Sequence, residues 1–123
     1  LPIPRSPAEI EPGANASAVL ARQARIMAVS GENVTEPFVR GACCALATAQ
    51  AHNVRMAILK EGSPSCGSGY VYDGFFTGQR TPGLGVTAEL LRQAGIRVFS
   101  EKQWAEAQAW LTMLEAEGPG ENR

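Results

Sequence analysis

From Thr35 onward the chain alternates helix signals with short apolar strand signals, and this alternation constrains its fold more than any other feature. Thr35, Glu36 and Pro37 make a helix start: a hydroxyl to cap free amides, an acid favoured by the dipole, and a proline in the first turn, where its missing N–H costs nothing. Phe38, Ala42, Ala45, Leu46 and Ala49 recur three and four apart, which carries the helix to about His52, with Asn53 as a left-handed stop. Val54 to Leu59 reads as a buried strand. Thr87 to Ala94 is a shorter helix closed by Gly95, and Ile96 to Phe99 is the next strand. Ser100 with Gln103 forms a capping box ahead of a last helix that aligns Trp104, Ala107, Leu111 and Leu114 on one face. Strands separated by helices pair in parallel through right-handed crossovers. The expected fold is α/β and Rossmann-like, three layers with a small, mainly parallel sheet flanked by helices.

At 123 residues the chain has room for one domain, residues 1–123, so any function must fit on a single core. Four prolines in residues 1–13 make the start extended or turning, and Gly118, Pro119 and Gly120 end order in a flexible tail over 117–123. Residues 15–30 satisfy neither period cleanly, although Arg25 to Val29 fits a strand. A net charge of -1 offers no general attraction to nucleic acid or anionic lipid. No apolar run approaches the roughly 20 residues of a membrane span. Three cysteines, an odd number, fit a reducing, cytoplasmic setting better than a disulfide framework. The chain opens on Leu1 with neither initiator Met nor signal peptide, and a segment ahead of it is expected to have been removed or left out of the sequence.

Ligands of open α/β sheets bind beyond the carboxyl ends of the strands, and the strand ending at Leu59 runs into seven glycines within residues 60–85. Residues 62–69 concentrate three serines, one thiol and three glycines, which allows close backbone approach and inward N–H groups around Cys66. A free thiol titrates near about 8.5, so amide dipoles or a cation such as Lys60 could raise its thiolate fraction. The competing reading is a glycine-rich turn with an incidental cysteine. The loop has neither the Walker spacing nor Gly-x-Gly-x-x-Gly.

Several ordered blocks together resemble a bacterial family whose characterised members are thiouracil desulfidases dependent on a [4Fe-4S] cluster. These blocks are Leu1-Pro2-Ile3-Pro4-Arg5, Pro7-Ala8-Glu9-Ile10, Asn33-Val34-Thr35 with Phe38 and Gly41-Ala42, and Ala57-Ile58-Leu59-Lys60 leading to Ser63-Pro64-Ser65-Cys66-Gly67. Tyr72-Asp73-Gly74 with Phe76, Gly83-Leu84-Gly85-Val86-Thr87 and Val98-Phe99-Ser100-Glu101 complete them. The resemblance implies three cysteine ligands to the cluster and one open iron that takes the sulfur of a thiolated base as a Lewis acid. Only one ligand maps here, onto Cys66; the resemblance puts the other two, and an acidic catalytic residue, ahead of residue 1 in a missing βα segment. It also places Ser63 near the substrate as a catalytic residue; beside it, Ser65, Gly67 and Asp73 are taken as substrate-binding candidates. One cysteine cannot retain four irons, so the chain by itself is expected to be cluster-free.

Cys43 and Cys44 point away from the apolar stripe on a helical wheel and read as small, partly buried residues on a second helix face rather than metal ligands. With Ala47 and Ala51 they suit a symmetric contact between copies, so a homo-oligomer is one expectation. Arg5 and Glu9 read equally as a surface ion pair or a substrate contact. Asp73 more often stabilises its own turn, while Tyr70, Tyr72, Phe75 and Phe76 cover a sheet edge or stack on a flat heterocycle. Trp104 and Trp110 are core or interface residues. Two rival functions stay open: a non-catalytic module whose 62–69 loop cradles a small anion or nucleobase through backbone N–H groups, and a covalent Cys66 nucleophile with His52, the one histidine, as base.

Overall fold

Asn15 begins order in the stretch where neither hydrophobic period is legible. In the computed structural model, which describes residues 7–116, its extended backbone (φ -135°) lets its side chain accept the N–H of Ala18 at 2.9 Å. That cap starts α1 (Ala16–Leu20), which lies between β1 (Ala8–Ile10) and β2 (Ile26–Ala28). The two strands pair antiparallel, Ile10 opposite Ile26, because a five-residue helix is too short to carry the chain across a sheet. Val19 and Ile26 are fully buried and Ile10 nearly so, each stabilising the fold by about 2 kcal/mol, in a core shared with Val39, Ala42 and Val86. The proline-rich start through Ser6, with Arg5, and the expected tail from residue 117 lie outside the described residues.

α2 (Thr35–Ala51) occupies the expected range, but Thr35 does not cap it. The Thr35 hydroxyl accepts the buried N–H of Ile26 at 2.9 Å, and Asn33 Oδ1 accepts both the Thr35 N–H (3.0 Å) and its O–H (2.6 Å). Satisfying a buried strand amide outweighs capping an exposed helix start. Asn53 stops the helix at φ 55°, in the left-handed conformation read from the sequence, and Gly95 does so after the next helix at φ 86°.

β3 (Met56–Leu59) and β6 (Arg97–Ser100) pair in parallel, Met56 opposite Arg97 and Leu59 opposite Ser100. Between them run β4 (Tyr70–Tyr72), β5 (Arg80–Pro82) and α3 (Val86–Gln93). β4 and β5 form an antiparallel hairpin, since the seven residues between them cannot make a crossover. The chain is thus α/β with a small parallel sheet and helices; the described residues add two antiparallel pairs to the one parallel pair. Ala57, Leu59 and Val98 pack with Ala49, Leu91 and Ile96 on the α2 and α3 side of that sheet. On its other face, where alternation puts Arg97 and Phe99, the Arg97 guanidinium stacks between Phe99 (5.1 Å) and Trp110 (5.2 Å) of α4 (Trp104–Ala116). β3 is half-buried rather than buried, because among the described residues only one of its edges is paired.

The expected face of α4 is only partly used. Ala107 is buried, whereas Trp104 is 64% exposed, Leu111 36% and Met113 44%, so Trp104 belongs to no core among the described residues. The capping box is also displaced. Gln103 reaches back to the Ser100 N–H (2.9 Å), but Ser100 Oγ accepts from Lys102, which makes a turn one step before the helix.

Candidate functional site

The loop after β3 leaves the carboxyl end of the parallel pair, and hydrogen bonds hold it from three sides. Its centre is one turn closed on Ser63, whose Oγ accepts the N–H groups of Ser65 (3.2 Å) and Cys66 (2.7 Å) while its carbonyl accepts that of Gly67 (3.0 Å). From one end, Glu61 Oε1 accepts the N–H groups of Ser68 (2.9 Å) and Gly69 (3.0 Å), and the Glu61 N–H donates to Glu101 Oε1 at 2.9 Å. That bond and its own amide hold the Glu101 carboxyl below its usual range.

From the other side comes the start of α3. The Val86 N–H donates to the Pro64 carbonyl (2.7 Å), and those of Thr87 (2.8 Å) and Ala88 (3.1 Å) donate to that of Ser65. Helix-start amides that would face solvent are therefore spent on the loop. Gly85 permits the approach: a β-carbon there would meet the Ser65 carbonyl carbon at 2.4 Å. Ser65 Oγ lies 2.7 Å from Thr87 Oγ1 and 3.7 Å from Cys66 Sγ, and Cys66 is half-buried. Ser68 Oγ is buried with no partner among the described residues.

Ser63, Ser65, Cys66 and Gly67 thus share one turn, as the sequence motif suggests. Gly67 has a packing role there, because a β-carbon on it would lie 2.5 Å from the Tyr70 carbonyl. Asp73 is not brought into this hydrogen-bonded group. It sits beyond β4, accepts the Phe75 N–H at 3.0 Å, and lines a separate cleft of about 280 Å³ with Ile10, Asn15, Phe75 and Thr81. Among the described residues Glu9 pairs with no cation; its Oε1 accepts the N–H groups of Gly74 (2.8 Å) and Phe76 (3.3 Å) and ties β1 to that turn. Tyr70 stacks under Arg80 (4.2 Å), and Phe75 is 65% exposed.

Every N–H from Ser65 to Gly69 already has an internal acceptor, two of them the Glu61 carboxylate, so residues 65–69 offer no free amide to an anion. His52 follows the end of α2, at the opposite end of β3 from Cys66, with its Nδ1 2.9 Å from the Thr48 carbonyl. Cys43 and Cys44 do point away from the core, but they are exposed rather than partly buried. Among the described residues no three His, Cys, Asp or Glu side chains group to hold a metal ion, and no helix is long and apolar enough to cross a membrane.

Sequence reasoning gave no site role to Thr87, Glu61 or Glu101. Thr87 and Glu101 entered only within the family blocks, Thr87 also as a helix start, and nothing in the order of residues says that Glu61 and Glu101 meet.

A family model described as 2-thiouracil desulfurase matches residues 1–103. The uncharacterized protein YbbK of Bacillus subtilis (strain 168) is 52% identical over 100 residues, which is 81% of this chain and 66% of that protein. A solved structure of a [4Fe-4S]-dependent thiouracil desulfidase, TudS, is 44% identical with a TM-score of 0.79, covering 92% of this chain and 68% of its own. The chain spans about two thirds of the length of these relatives.

Proposed function

The chain belongs to the 2-thiouracil desulfurase family, and from that membership we propose that it forms the Cys66-bearing part of an enzyme that removes sulfur from a thiolated heterocycle such as thiouracil. The observation that carries this reading is the placement of Cys66: half-buried, beyond the carboxyl end of the parallel pair, in a turn immobilised by Ser63, Glu61 and the start of α3. A site held this rigidly before ligand arrives spends little binding energy on ordering.

The residues present do not by themselves fit a four-iron cluster, which several thiolates hold. Cys66 is one thiol, and no second cysteine joins it in a metal-holding group among the described residues. In this proposal the remaining ligands come from a βα segment outside residues 1–123, and the cluster belongs to the assembled protein. The chain's own contribution is positional. Ser63 accepts two amide protons and keeps its one hydroxyl proton to donate to substrate, which is the catalytic role assigned to it. Ser65 presents a second hydroxyl beside the sulfur, and Gly67 lets the chain pass close to Tyr70. Asp73 is left out, because its carboxylate caps its own turn. The free thiols Cys43, Cys44 and Cys66 suit a reducing compartment.

The test is anaerobic reconstitution, with iron and sulfide, of the whole reading frame that encodes these residues. Cluster-stoichiometric iron, and release of sulfide as thiouracil becomes the oxygen analogue, are expected, with both lost in Cys66→Ala. Iron far below that stoichiometry, or a Cys66→Ala protein that retains both, rejects the reading.

A further inference from the structure

Resting on the reading that the Cys66 sulfur does the chemistry, we propose that Thr87 is a positioning residue of this site: acting through Ser65, it fixes the hydroxyl that faces the sulfur. Thr87 is 6% exposed, and its one side-chain hydrogen bond among the described residues is the 2.7 Å contact to Ser65 Oγ. Ser65 Oγ in turn lies 3.7 Å from Cys66 Sγ. Thr87 holds Ser65 a second time, its backbone N–H donating to the Ser65 carbonyl at 2.8 Å. Both polar ends of Ser65 are therefore referred to the first turn of α3. Helix capping does not account for the side-chain contact, since Gly85 is the N-cap of α3.

Donor arithmetic gives the arrangement a direction. Each hydroxyl has one proton to donate, and a neutral thiol can donate its own to Ser65. Once the sulfur bonds a metal or attacks an electrophile it can only accept, so Ser65 must turn its O–H toward it. Ser65 can then accept, and Thr87 supplies the donor. The chain Thr87 to Ser65 to Cys66 is complete without an outside group, and successive hydrogen bonds of this kind polarise one another. A sulfur that accepts such a bond is a damped nucleophile held in one orientation. Removing the Thr87 methyl leaves this intact, whereas removing its hydroxyl frees Ser65.

The experiment is alkylation of the iron-free chain by iodoacetamide, at a pH high enough that rates no longer rise with pH, so that ionisation drops out. Trypsin places Cys66 in the peptide 61–80 and Cys43 with Cys44 in the peptide 41–55, so mass spectrometry reads the site against an internal reference. Thr87→Val is expected to speed Cys66 alkylation about two- to twelvefold, the span into which a net hydrogen-bond contribution converts, while the reference peptide keeps its rate. Thr87→Ser restores the parental rate. Ser65→Ala reproduces the rise, and combining it with Thr87→Val adds nothing. An unchanged Cys66 rate in Thr87→Val, no restoration by Thr87→Ser, or additive effects of the two changes would overturn the proposal. If Thr87→Val does not fold, the other two single variants decide it: Ser65→Ala must speed Cys66 and Thr87→Ser must not. The assay needs no iron, so its failure leaves the desulfidase reading intact. Failed cluster assembly with a working relay would reject that reading and keep the relay.

Discussion

A β-carbon at Gly67 would sit 2.5 Å from the backbone carbonyl of Tyr70, a group that cannot swing aside, whereas one at Gly41 would meet nothing within 4 Å. The two glycines therefore predict opposite outcomes. Gly67→Ala should destabilise the protein by about 1–3 kcal/mol through overpacking. Gly41→Ala, in the exposed middle of α2, should stabilise it by about 0.5–1 kcal/mol by restricting the unfolded chain. Urea midpoints at constant slope distinguish them. Glu61 is the third residue of this kind, because Glu61→Ala strips the acceptor from the N–H groups of Ser68 and Gly69. That change should raise amide exchange at Ser68 and Gly69 well above parental rates while leaving β6 protected, and unaltered exchange at those two amides would contradict the bracing role. The sequence puts Gly41 in a helix and Gly67 in a glycine-rich loop, but it does not show that the loop folds back to set the Tyr70 carbonyl, three residues on, against Gly67.

Helices and strands were legible where both their pattern and their length were ordinary. α2, α3 and the β3 to β6 pair follow from periodicity and from Asn53 and Gly95 as stops, which act through local backbone preference. The exception among the long elements is α4. The sequence puts Trp104, Ala107, Leu111 and Leu114 on one face, but of these Trp104 and Leu111 stay exposed while Ala107 is buried, so the stripe does not by itself say which side meets the sheet. Ala107 is 2% exposed and Trp104 is 64% exposed on the same helix, a contrast that reverses the usual expectation from size. Trp104→Ser should accordingly change stability by no more than about 0.5 kcal/mol, and Ala107→Leu should cost about 1–3 kcal/mol. Thermal melts of the two variants test the docking of α4, and a large loss in Trp104→Ser would mean that the tryptophan is covered. The short elements α1, β1, β4 and β5 escaped the sequence reading in detail, because three to five residues are too few to show a period.

At the scale of the molecule, three carboxyls among the described residues are held below the ordinary value of 4.5. The Arg92 side chain lowers Glu89 through bonds of 3.1 and 2.9 Å, the Arg25 N–H lowers Glu11, and the Glu61 N–H lowers Glu101. A carboxyl depressed in the folded state adds stability above its unfolded value and loses it as pH falls through the folded one. The melting temperature should therefore decline as pH drops below 4.5, the ordinary carboxyl value, and change little above it. Glu89 is the most buried of the three, so Glu89→Gln should melt below the parent at neutral pH and converge with it near about pH 3. A constant gap between the two across that range would show that Glu89 contributes by shape and not by charge.

The sequence by itself determined the α/β class, the ranges of the long helices and parallel strands, the cysteine-bearing turn and the family, because these depend on residues close together or on the order of motifs. Only the tertiary structure decided that Thr87 bonds Ser65, that Glu61 holds the amides of Ser68 and Gly69, and that Glu9 braces the turn at Gly74. The physical reason is range. A helix stop or a proline acts on its own backbone, whereas a hydrogen bond between residues 22 or 65 positions apart exists only once the core has brought them together.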